Sequence, residues 1–135
     1  MVADGRRPLV LVVDDYRDAR EMYAEGLQAG GCDVLEAGTG EAALEMARRH
    51  VPDVVIMDVT LPGIDGWTAT RELKADRATA GVLVLALTGN ARADGRDAAI
   101  QAGCDAFLIK PCLPEDMLAE VLRLLARRAR AAPHA

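Results

Sequence analysis

Hydrophobic and polar residues follow one another along this chain in blocks that predict five β-strands and five α-helices. Most of the predicted strands are short apolar runs typical of a strand buried on both faces of a sheet. The predicted strands occupy residues 9–13, 32–37, 54–58, 82–87 and 107–109. The segments between them predict helices that end near residues 29, 50, 75 and 102, and a last helix that begins near residue 114. Thr39 is predicted to cap the second helix, and the fourth is predicted to begin near Ala91.

The first and last helices have apolar stripes that predict which of their faces pack on the sheet. In the first helix the stripe consists of Ala19, Met22, Tyr23, Gly26 and Leu27. In the last helix it consists of Leu118, Val121, Leu122 and Leu125. Strict alternation of strands with helices predicts an α/β fold, in which a parallel sheet has helices on both sides.

The length of 135 residues fits one domain. We predict a disordered lead-in over residues 1–7, a domain over residues 8–126, and a helix end with an Arg- and Ala-rich tail over residues 127–135. The formal net charge of −5 argues against a nucleic-acid-binding surface that covers the whole domain.

The chain has features typical of a cytoplasmic protein that does not enter the membrane. No stretch approaches the roughly 18 consecutive apolar residues that a membrane span needs. The cysteines, Cys32, Cys104 and Cys112, have no spacing typical of metal ligands, and their odd number fits a reducing compartment. We therefore predict a cytoplasmic protein.

Polar residues follow four of the predicted strands at the points where these strands end. Asp14 and Asp15 follow the first strand, Asp58 ends the third, Thr88 follows the fourth and Lys110 follows the fifth. In a parallel sheet these strand ends share one edge. The second strand contributes nothing comparable. This asymmetry fits a doubly wound, flavodoxin-like (βα)5 fold with the strand order 2-1-3-4-5, in which the first and third strands are neighbours.

Three carboxylates at one edge of a sheet repel each other and need a positive counter-charge. Oxygen ligands favour a hard divalent cation, and Mg²⁺ fits because it keeps part of its hydration shell. Lys110 adds a second positive centre and Thr88 a hydroxyl donor. These groups are suited to phosphoryl transfer to an aspartate. A structural alternative is that Asp58 caps a loop or a helix, and that Asp14 and Asp15 cap the first helix.

Four sequence segments resemble the receiver domain of two-component response regulators. They are VVDD at residues 12–15, IMDVTLPGIDG at 56–66, ALTG at 86–89 and AGCDAFLIKP at 102–111. The resemblance covers nearly the whole chain. It implies a stand-alone regulator, similar to the chemotaxis regulators, because the length leaves no room for an output domain. Such a regulator would act either by binding a partner or by passing the phosphoryl group on. Such a protein is a regulatory phosphoacceptor, whose only chemistry is self-catalysed phosphotransfer and autodephosphorylation.

The resemblance also implies roles for the polar residues at the strand ends. Asp58 matches the phosphoacceptor, which attacks a phosphohistidine on a histidine kinase or a histidine phosphotransfer protein. Asp15 matches a direct Mg²⁺ ligand, Asp14 matches a neighbour that acts largely through water, and the Thr60 carbonyl would be a third protein ligand. Lys110 matches the lysine that pairs first with the carboxylate and then with phosphoryl oxygens.

The same resemblance identifies a switch in the second half of the domain. Thr88 matches a hydroxyl that turns toward the phosphoryl group, and Phe107 matches an aromatic residue that then swings inward. The bond between Lys110 and Pro111 matches one that is usually cis in the family.

The fourth helix is predicted to be among the least stable elements, whatever the family. Gly95 in its middle disfavours the helix by about 1 kcal/mol relative to alanine, and Ile100 is its one large apolar anchor. Switch segments come from elements of low stability. We therefore expect the fourth helix, fifth strand and fifth helix to form a face that binds a downstream protein partner.

Two further readings of the sequence stay open. The first is an aspartyl-phosphate phosphohydrolase, because Asp58-Val59-Thr60 resembles the Asp-x-Thr motif of ion-pumping ATPases. Against it, Thr60 stands where phosphatases of that superfamily commonly have a second aspartate, and the chain has no room for a cap domain. The second is a receiver domain cut from a hybrid kinase.

Overall fold

The computed structural model describes residues 5–89 and 93–131 of the chain. Within these residues one sheet contains five parallel strands in the order β2-β1-β3-β4-β5, which confirms the predicted fold. The strands are β1 (Leu9–Val13), β2 (Asp33–Ala37), β3 (Val54–Asp58), β4 (Leu83–Thr88) and β5 (Ala106–Ile109). The helices are α1 (Arg17–Ala29), α2 (Gly40–His50), α3 (Gly66–Ala75), α4 (Ala93–Ala102) and α5 (Pro114–Ala131).

The predicted element boundaries agree with the structure to within two residues where they can be compared. The predicted start of the fourth helix, near Ala91, lies outside the described residues. Thr39 was predicted to cap the second helix, and its hydroxyl oxygen accepts a hydrogen bond from the Ala42 backbone N–H at 3.0 Å. The peptide bond between Lys110 and Pro111 is cis, as the resemblance implies.

The central strands separate two hydrophobic layers because successive residues of a strand point to opposite faces. Val10, Val12 and Ile56 face the layer that contains α1 and α5. Leu11 and Val13 face the layer that contains α2 and α3. Apart from Tyr23, both layers consist of non-aromatic side chains, mainly aliphatic ones, as the small number of aromatic residues in the sequence predicts.

Helices α1 and α5 pack closely because α1 presents glycines to α5. A Cβ atom on Gly26 would lie 2.5 Å from Cβ of Pro114, and one on Gly30 would overlap the Leu118 side chain. Gly26 and Pro114 therefore approach more closely than any residue with a side chain at position 26 allows.

This close approach predicts that Gly26→Ala destabilises the protein, although alanine is the better helix former by about 1 kcal/mol. Overpacking against the rigid proline ring should prevail and lower the free energy of unfolding by about 1–2 kcal/mol. Urea denaturation is the measurement. Gly81→Ala is the control, because a Cβ atom there meets nothing within 4 Å. Equal stability of Gly26→Ala and the wild type would contradict the packing argument.

Three predicted core positions are wrong. Met22 is 45% exposed, Leu122 is 38% exposed and Ile100 is 72% exposed. In α5 the residues buried instead of Leu122 include Met117 and Leu124. In α4 the described residues that are buried are small alanines, Ala99 and Ala102. The rotation of each helix about its axis is set by the elements against which it packs. The spacing of apolar residues predicts the buried face only approximately, so a residue beside that face can be mistaken for a buried one.

The sequence did not predict an ion-pair cluster that lies at the amino-terminal edge of the sheet. The buried Asp53 carboxylate accepts hydrogen bonds from both terminal nitrogens of Arg6 and from Arg128 Nη2, each at 3.0 Å. Arg7 pairs with Asp33 at 3.0 Å. Two residues of the predicted lead-in are therefore bound to the domain, while residues 1–4 lie outside the described part.

Among the described helices, none is both long enough and apolar enough to cross a membrane.

Candidate functional site

Asp58 lies at the carboxyl end of β3 and is almost completely buried. Its Oδ1 atom accepts two hydrogen bonds from Thr60, one from the backbone N–H and one from the hydroxyl, both at 2.9 Å. Its Oδ2 atom lies 2.5 Å from Lys110 Nζ, which follows the end of β5. The orientation of the carboxylate is thus determined by donors from two elements.

Asp14 follows β1 and is also buried. Its Oδ1 atom accepts a hydrogen bond from the Tyr16 backbone N–H at 2.9 Å. Within the described residues its Oδ2 atom has no hydrogen-bond partner, and Lys110 Nζ lies 3.6 Å away, close enough for an ion pair only. Asp15, the next residue, is exposed at the mouth of the same crevice.

Asp14, Asp15 and Asp58 each offer a carboxylate oxygen, and these three atoms lie within 4.8 Å of one another. A buried carboxylate oxygen without a donor is unusual in a folded protein. Together, the Oδ2 atom of Asp14, which accepts no hydrogen bond from the described residues, and a donor set made only of oxygens fit a hard divalent cation. The structure therefore brings together the predicted metal-site carboxylates and the predicted lysine.

Within the described residues, this crevice contains more negative than positive charge, because three carboxylates meet there with the ammonium of Lys110. Burial raises the pKa of Asp14, the Tyr16 N–H and Lys110 oppose that rise, and the charges of Asp58 and Asp15 reinforce it. Burial alone would lower the pKa of Lys110, but its hydrogen bond and charge interaction with Asp58 raise that pKa above its usual value. One lysine therefore serves two buried carboxylates, which leaves Asp14 incompletely neutralised.

This imbalance predicts that Asp14→Asn stabilises the metal-free protein. A raised pKa in the folded state means that folding disfavours the ionised form, so the ionised group lowers stability above that pKa. The neutral amide removes this effect at pH 7 and should raise Tm by roughly 4 °C, the change that about 1 kcal/mol produces in a domain of this size. Thermal unfolding in EDTA is the measurement.

Asp53→Asn is the matched control with the opposite sign. Burial alone would raise the pKa of Asp53, but hydrogen bonds from Arg6, the Leu9 N–H and Arg128 hold that pKa below its usual value. Folding therefore favours the ionised form, and the amide should lower Tm at pH 7. A lower Tm for Asp14→Asn in EDTA would show that Asp14 is adequately neutralised by its neighbours.

The loop that follows Asp58 is fitted tightly between β3 and two helices. Gly63 has a φ of 73°, a left-handed conformation that favours glycine. A Cβ atom on Gly66 would overlap the carbonyl oxygen of Asp58. Glu41, in the first turn of α2, accepts a hydrogen bond from the Ile64 backbone N–H at 3.1 Å. These contacts restrict the path of the chain beside the acidic crevice.

Residues 10–122 match the sequence model of the response regulator receiver domain. The chain belongs to the response regulator receiver family. A probable transcriptional regulatory protein of Mycobacterium tuberculosis, TcrX, is 37% identical over 125 residues, which are 93% of this chain and 53% of TcrX. The phosphate regulon regulatory protein PhoB of Pseudomonas aeruginosa is 31% identical over 87% of this chain and 52% of PhoB. The chain spans about half the length of the curated relatives it matches.

Solved receiver structures have the same fold. A putative response regulator from Chloroflexus aurantiacus is 34% identical, with a TM-score of 0.85 over 90% of this chain and 100% of that one. The chemotaxis response regulator CheY4 of Vibrio cholerae is 28% identical, with a TM-score of 0.81 over 88% of this chain and 98% of CheY4.

In this receiver domain the two predicted switch residues lie on neighbouring strands. Thr88 is buried at the end of β4, and its carbonyl oxygen accepts a hydrogen bond from the Lys110 backbone N–H at 2.8 Å. Phe107 is half-buried on β5, with the Arg96 guanidinium 5.4 Å from its ring centroid. Thr88 thus shares the edge that carries Lys110, whereas Phe107 contacts α4.

Sequence reasoning missed three contacts that shape the receiver site. The Thr60 hydroxyl binds Asp58 directly, whereas only the Thr60 carbonyl had been predicted to act, as a metal ligand. The Tyr16 backbone N–H donates a hydrogen bond to the Asp14 carboxylate, and the Arg20 guanidinium donates one to the Asp14 carbonyl oxygen. A hydroxyl two residues after an aspartate is a signal for the first contact. The other two depend on where α1 begins and how it lies on the sheet.

Proposed function

We propose that this receiver domain accepts a phosphoryl group on Asp58 from a phosphohistidine of a histidine kinase or histidine phosphotransfer protein. The observation that supports this proposal most strongly is the environment of the Asp58 carboxylate. Its carboxylate is buried, is oriented by hydrogen bonds from Thr60 and forms an ion pair with Lys110. Asp14 and Asp15 lie close enough to complete a cation site. In this assignment Asp58 is the nucleophile.

The proposed step is a displacement at phosphorus. An Asp58 carboxylate oxygen forms a bond to phosphorus as the bond from phosphorus to the donor nitrogen breaks, and that nitrogen leaves with the electron pair. Lys110 places positive charge where negative charge gathers on the phosphoryl oxygens. The Thr60 donors keep the carboxylate aligned before attack, which lowers the entropic part of the barrier.

Asp14, Asp15 and Asp58, with the Thr60 carbonyl, would hold Mg²⁺ in this protein. The ion supplies charge neutralisation between the acidic residues and the incoming phosphoryl oxygens. Two observations support this assignment: the Oδ2 atom of Asp14 accepts no hydrogen bond from the described residues, and three carboxylates meet in the crevice.

The output of the switch is proposed to be a protein contact made by α4, β5 and α5. Phosphorylation adds a charge of roughly −1.5 to −2 at Asp58, and the hydroxyl of Thr88 and the ring of Phe107 are proposed to respond to it. The exposed Ile100 and a cavity of about 270 Å³ that Phe107 also lines lie on this face. Weak anchoring of α4 through small alanines supports its use as the mobile part.

We propose that this output needs no direct nucleic-acid contact and takes place in the cytoplasm, as the acidic net charge and the cysteine pattern suggest. The relative RpaA of Synechocystis is named a DNA-binding regulator, and this chain matches 51% of its length. That this domain acts as a stand-alone regulator is likewise a proposal.

A receiver from a hybrid kinase is a second candidate. It is favoured by one structural match, the receiver domain of a signal transduction histidine kinase from Syntrophus aciditrophicus, which is 26% identical with a TM-score of 0.83. Acceptance of a phosphoryl group on Asp58 is common to both candidates.

The test of the proposal is incubation of the protein with acetyl phosphate and Mg²⁺, followed by intact-mass measurement. We expect a mass gain of one phosphoryl group with Mg²⁺ and none with EDTA. No gain would refute the phosphoacceptor role. Sustained turnover of a small phosphate ester such as para-nitrophenyl phosphate would instead favour the phosphohydrolase.

A further inference from the structure

Arg20, in the second turn of α1, connects the site to the edge of the sheet. Its Nη1 atom donates a hydrogen bond to the Asp14 carbonyl oxygen at 2.9 Å, and its Nε atom donates one to Glu36 Oε1 at 3.1 Å. Its side chain is 19% exposed. Gly38 leaves room for this arrangement, because a Cβ atom there would lie 3.1 Å from Nη1.

The bond from Arg20 completes the immobilisation of Asp14. The Asp14 backbone N–H donates to the Ala37 carbonyl at 3.1 Å, and its side chain accepts from the Tyr16 N–H at 2.9 Å. The Asp14 carbonyl is part of the planar peptide that leads into Asp15. A donor that holds this oxygen therefore determines the direction in which the backbone enters Asp15.

Asp15 makes no comparable side-chain hydrogen bond or ion pair with the part of the chain that the structure describes. It is exposed, and its carboxylate reaches the cluster with Asp14 and Asp58 from the mouth of the crevice. A carboxylate that is free to rotate on an unrestrained peptide would lose entropy on binding a cation. Arg20 supplies the restraint from outside the cluster.

We propose that Arg20, held in place by Glu36, is a positioning residue for divalent-cation binding. It holds the peptide between Asp14 and Asp15 so that both carboxylates converge with Asp58. The inference rests on the proposed Mg²⁺ site.

The charge of Arg20 acts in the opposite direction. A guanidinium near the site repels a cation, so its removal by itself would strengthen Mg²⁺ binding. Glu36 offsets that charge through its ion pair with Arg20, and solvent at this partly exposed position screens what remains. The loss of positioning should therefore prevail. The two effects have opposite signs, so a single measurement separates them.

The test is the Mg²⁺ dissociation constant, measured by calorimetric titration, together with the rise in Tm that Mg²⁺ produces over EDTA. Arg20→Met should weaken Mg²⁺ binding about 10-fold, the lower end of the range for residues that orient metal ligands. Arg20→Lys should recover part of the affinity. Arg17→Met is the matched control. It removes the same charge from the same helix, but Arg17 pairs with Glu21 and is largely exposed.

Unchanged or tighter Mg²⁺ binding by Arg20→Met, or an equal loss in Arg17→Met, would overturn the positioning role. A purely structural role would lower Tm equally with and without Mg²⁺ and leave the dissociation constant unchanged. If Arg20→Met does not fold, Glu36→Gln gives the answer at high ionic strength, where salt screens the charge effect of the substitution. Loss of the contact that holds Arg20 should still weaken Mg²⁺ binding under those conditions, and wild-type affinity would refute the inference.

Asp15→Asn separates this inference from the proposed function. If the wild type binds no Mg²⁺, or if Asp15→Asn binds it equally well, the proposed metal site is wrong and the inference falls with it. If Asp15→Asn loses Mg²⁺ while Arg20→Met retains it, the metal site stands and only the role of Arg20 is refuted.

Discussion

Asp58→Asn is expected to take up no phosphoryl group from acetyl phosphate, whereas the wild type takes up one. An amide lacks the anionic oxygen that attacks phosphorus. Asparagine has the same shape as aspartate, so an amide oxygen can still accept the Thr60 hydrogen bonds seen at 2.9 Å. The variant should therefore fold, and loss of labelling reports chemistry. Intact mass after incubation with Mg²⁺ is the measurement.

Asp65→Asn is the control in the same loop. Asp65 caps α3, and its side chain accepts a hydrogen bond from the Thr68 N–H at 2.8 Å, away from the acidic cluster. This variant should be labelled like the wild type. Full labelling of Asp58→Asn, or equal loss in both variants, would show that Asp58 is not the acceptor.

Lys110→Met is expected to lower the free energy of unfolding by about 3 kcal/mol in EDTA. The lysine ammonium lies 2.5 Å from Asp58 and 3.6 Å from Asp14, and both carboxylates are buried. Removal of one partner leaves buried negative charge without compensation, which typically costs 3–5 kcal/mol. We take the lower end because the lysine side chain is itself 31% exposed. Urea denaturation at neutral pH is the measurement.

The same substitution should increase the stabilisation that Mg²⁺ gives. Without the ammonium, no described residue forms an ion pair with Asp58, and a divalent cation would supply the missing positive charge. The difference in stability between Mg²⁺ and EDTA should therefore exceed that of the wild type. Lys74→Met is the matched control, because Lys74 pairs with Asp105 at the opposite edge of the sheet. It should cost about 1 kcal/mol and leave the effect of Mg²⁺ unchanged. No loss of stability for Lys110→Met in EDTA would contradict this account.

Much of the site was predictable because it depends on strand ends. Unbroken apolar runs identify the strands, and a parallel sheet brings their carboxyl ends to one edge. The sequence alone thus places Asp14, Asp58 and Lys110 together. Thr88 reaches the same edge through the end of β4. The family resemblance then supplied their proposed chemical roles.

The errors share one cause, which is the rotation of helices on the sheet. Met22, Leu122 and Ile100 are apolar residues at helical spacing, yet they face solvent. A small rotation of a helix about its axis buries one residue in place of an adjacent one, yet both rotations fit the same spacing of apolar residues in the sequence. The close approach of Gly26 to Pro114 shows how tertiary contact sets that rotation for α1 and α5.

By itself, the sequence determined the order of elements, the parallel sheet and the edge at which the acidic residues meet, because each follows from local apolar runs and the geometry of parallel strands. Only the tertiary structure decided which donors hold those residues. Arg20 reaches Asp14 from α1, and Glu36 on β2 braces Arg20. Such contacts join separate elements, so their existence depends on how the helices lie on the sheet.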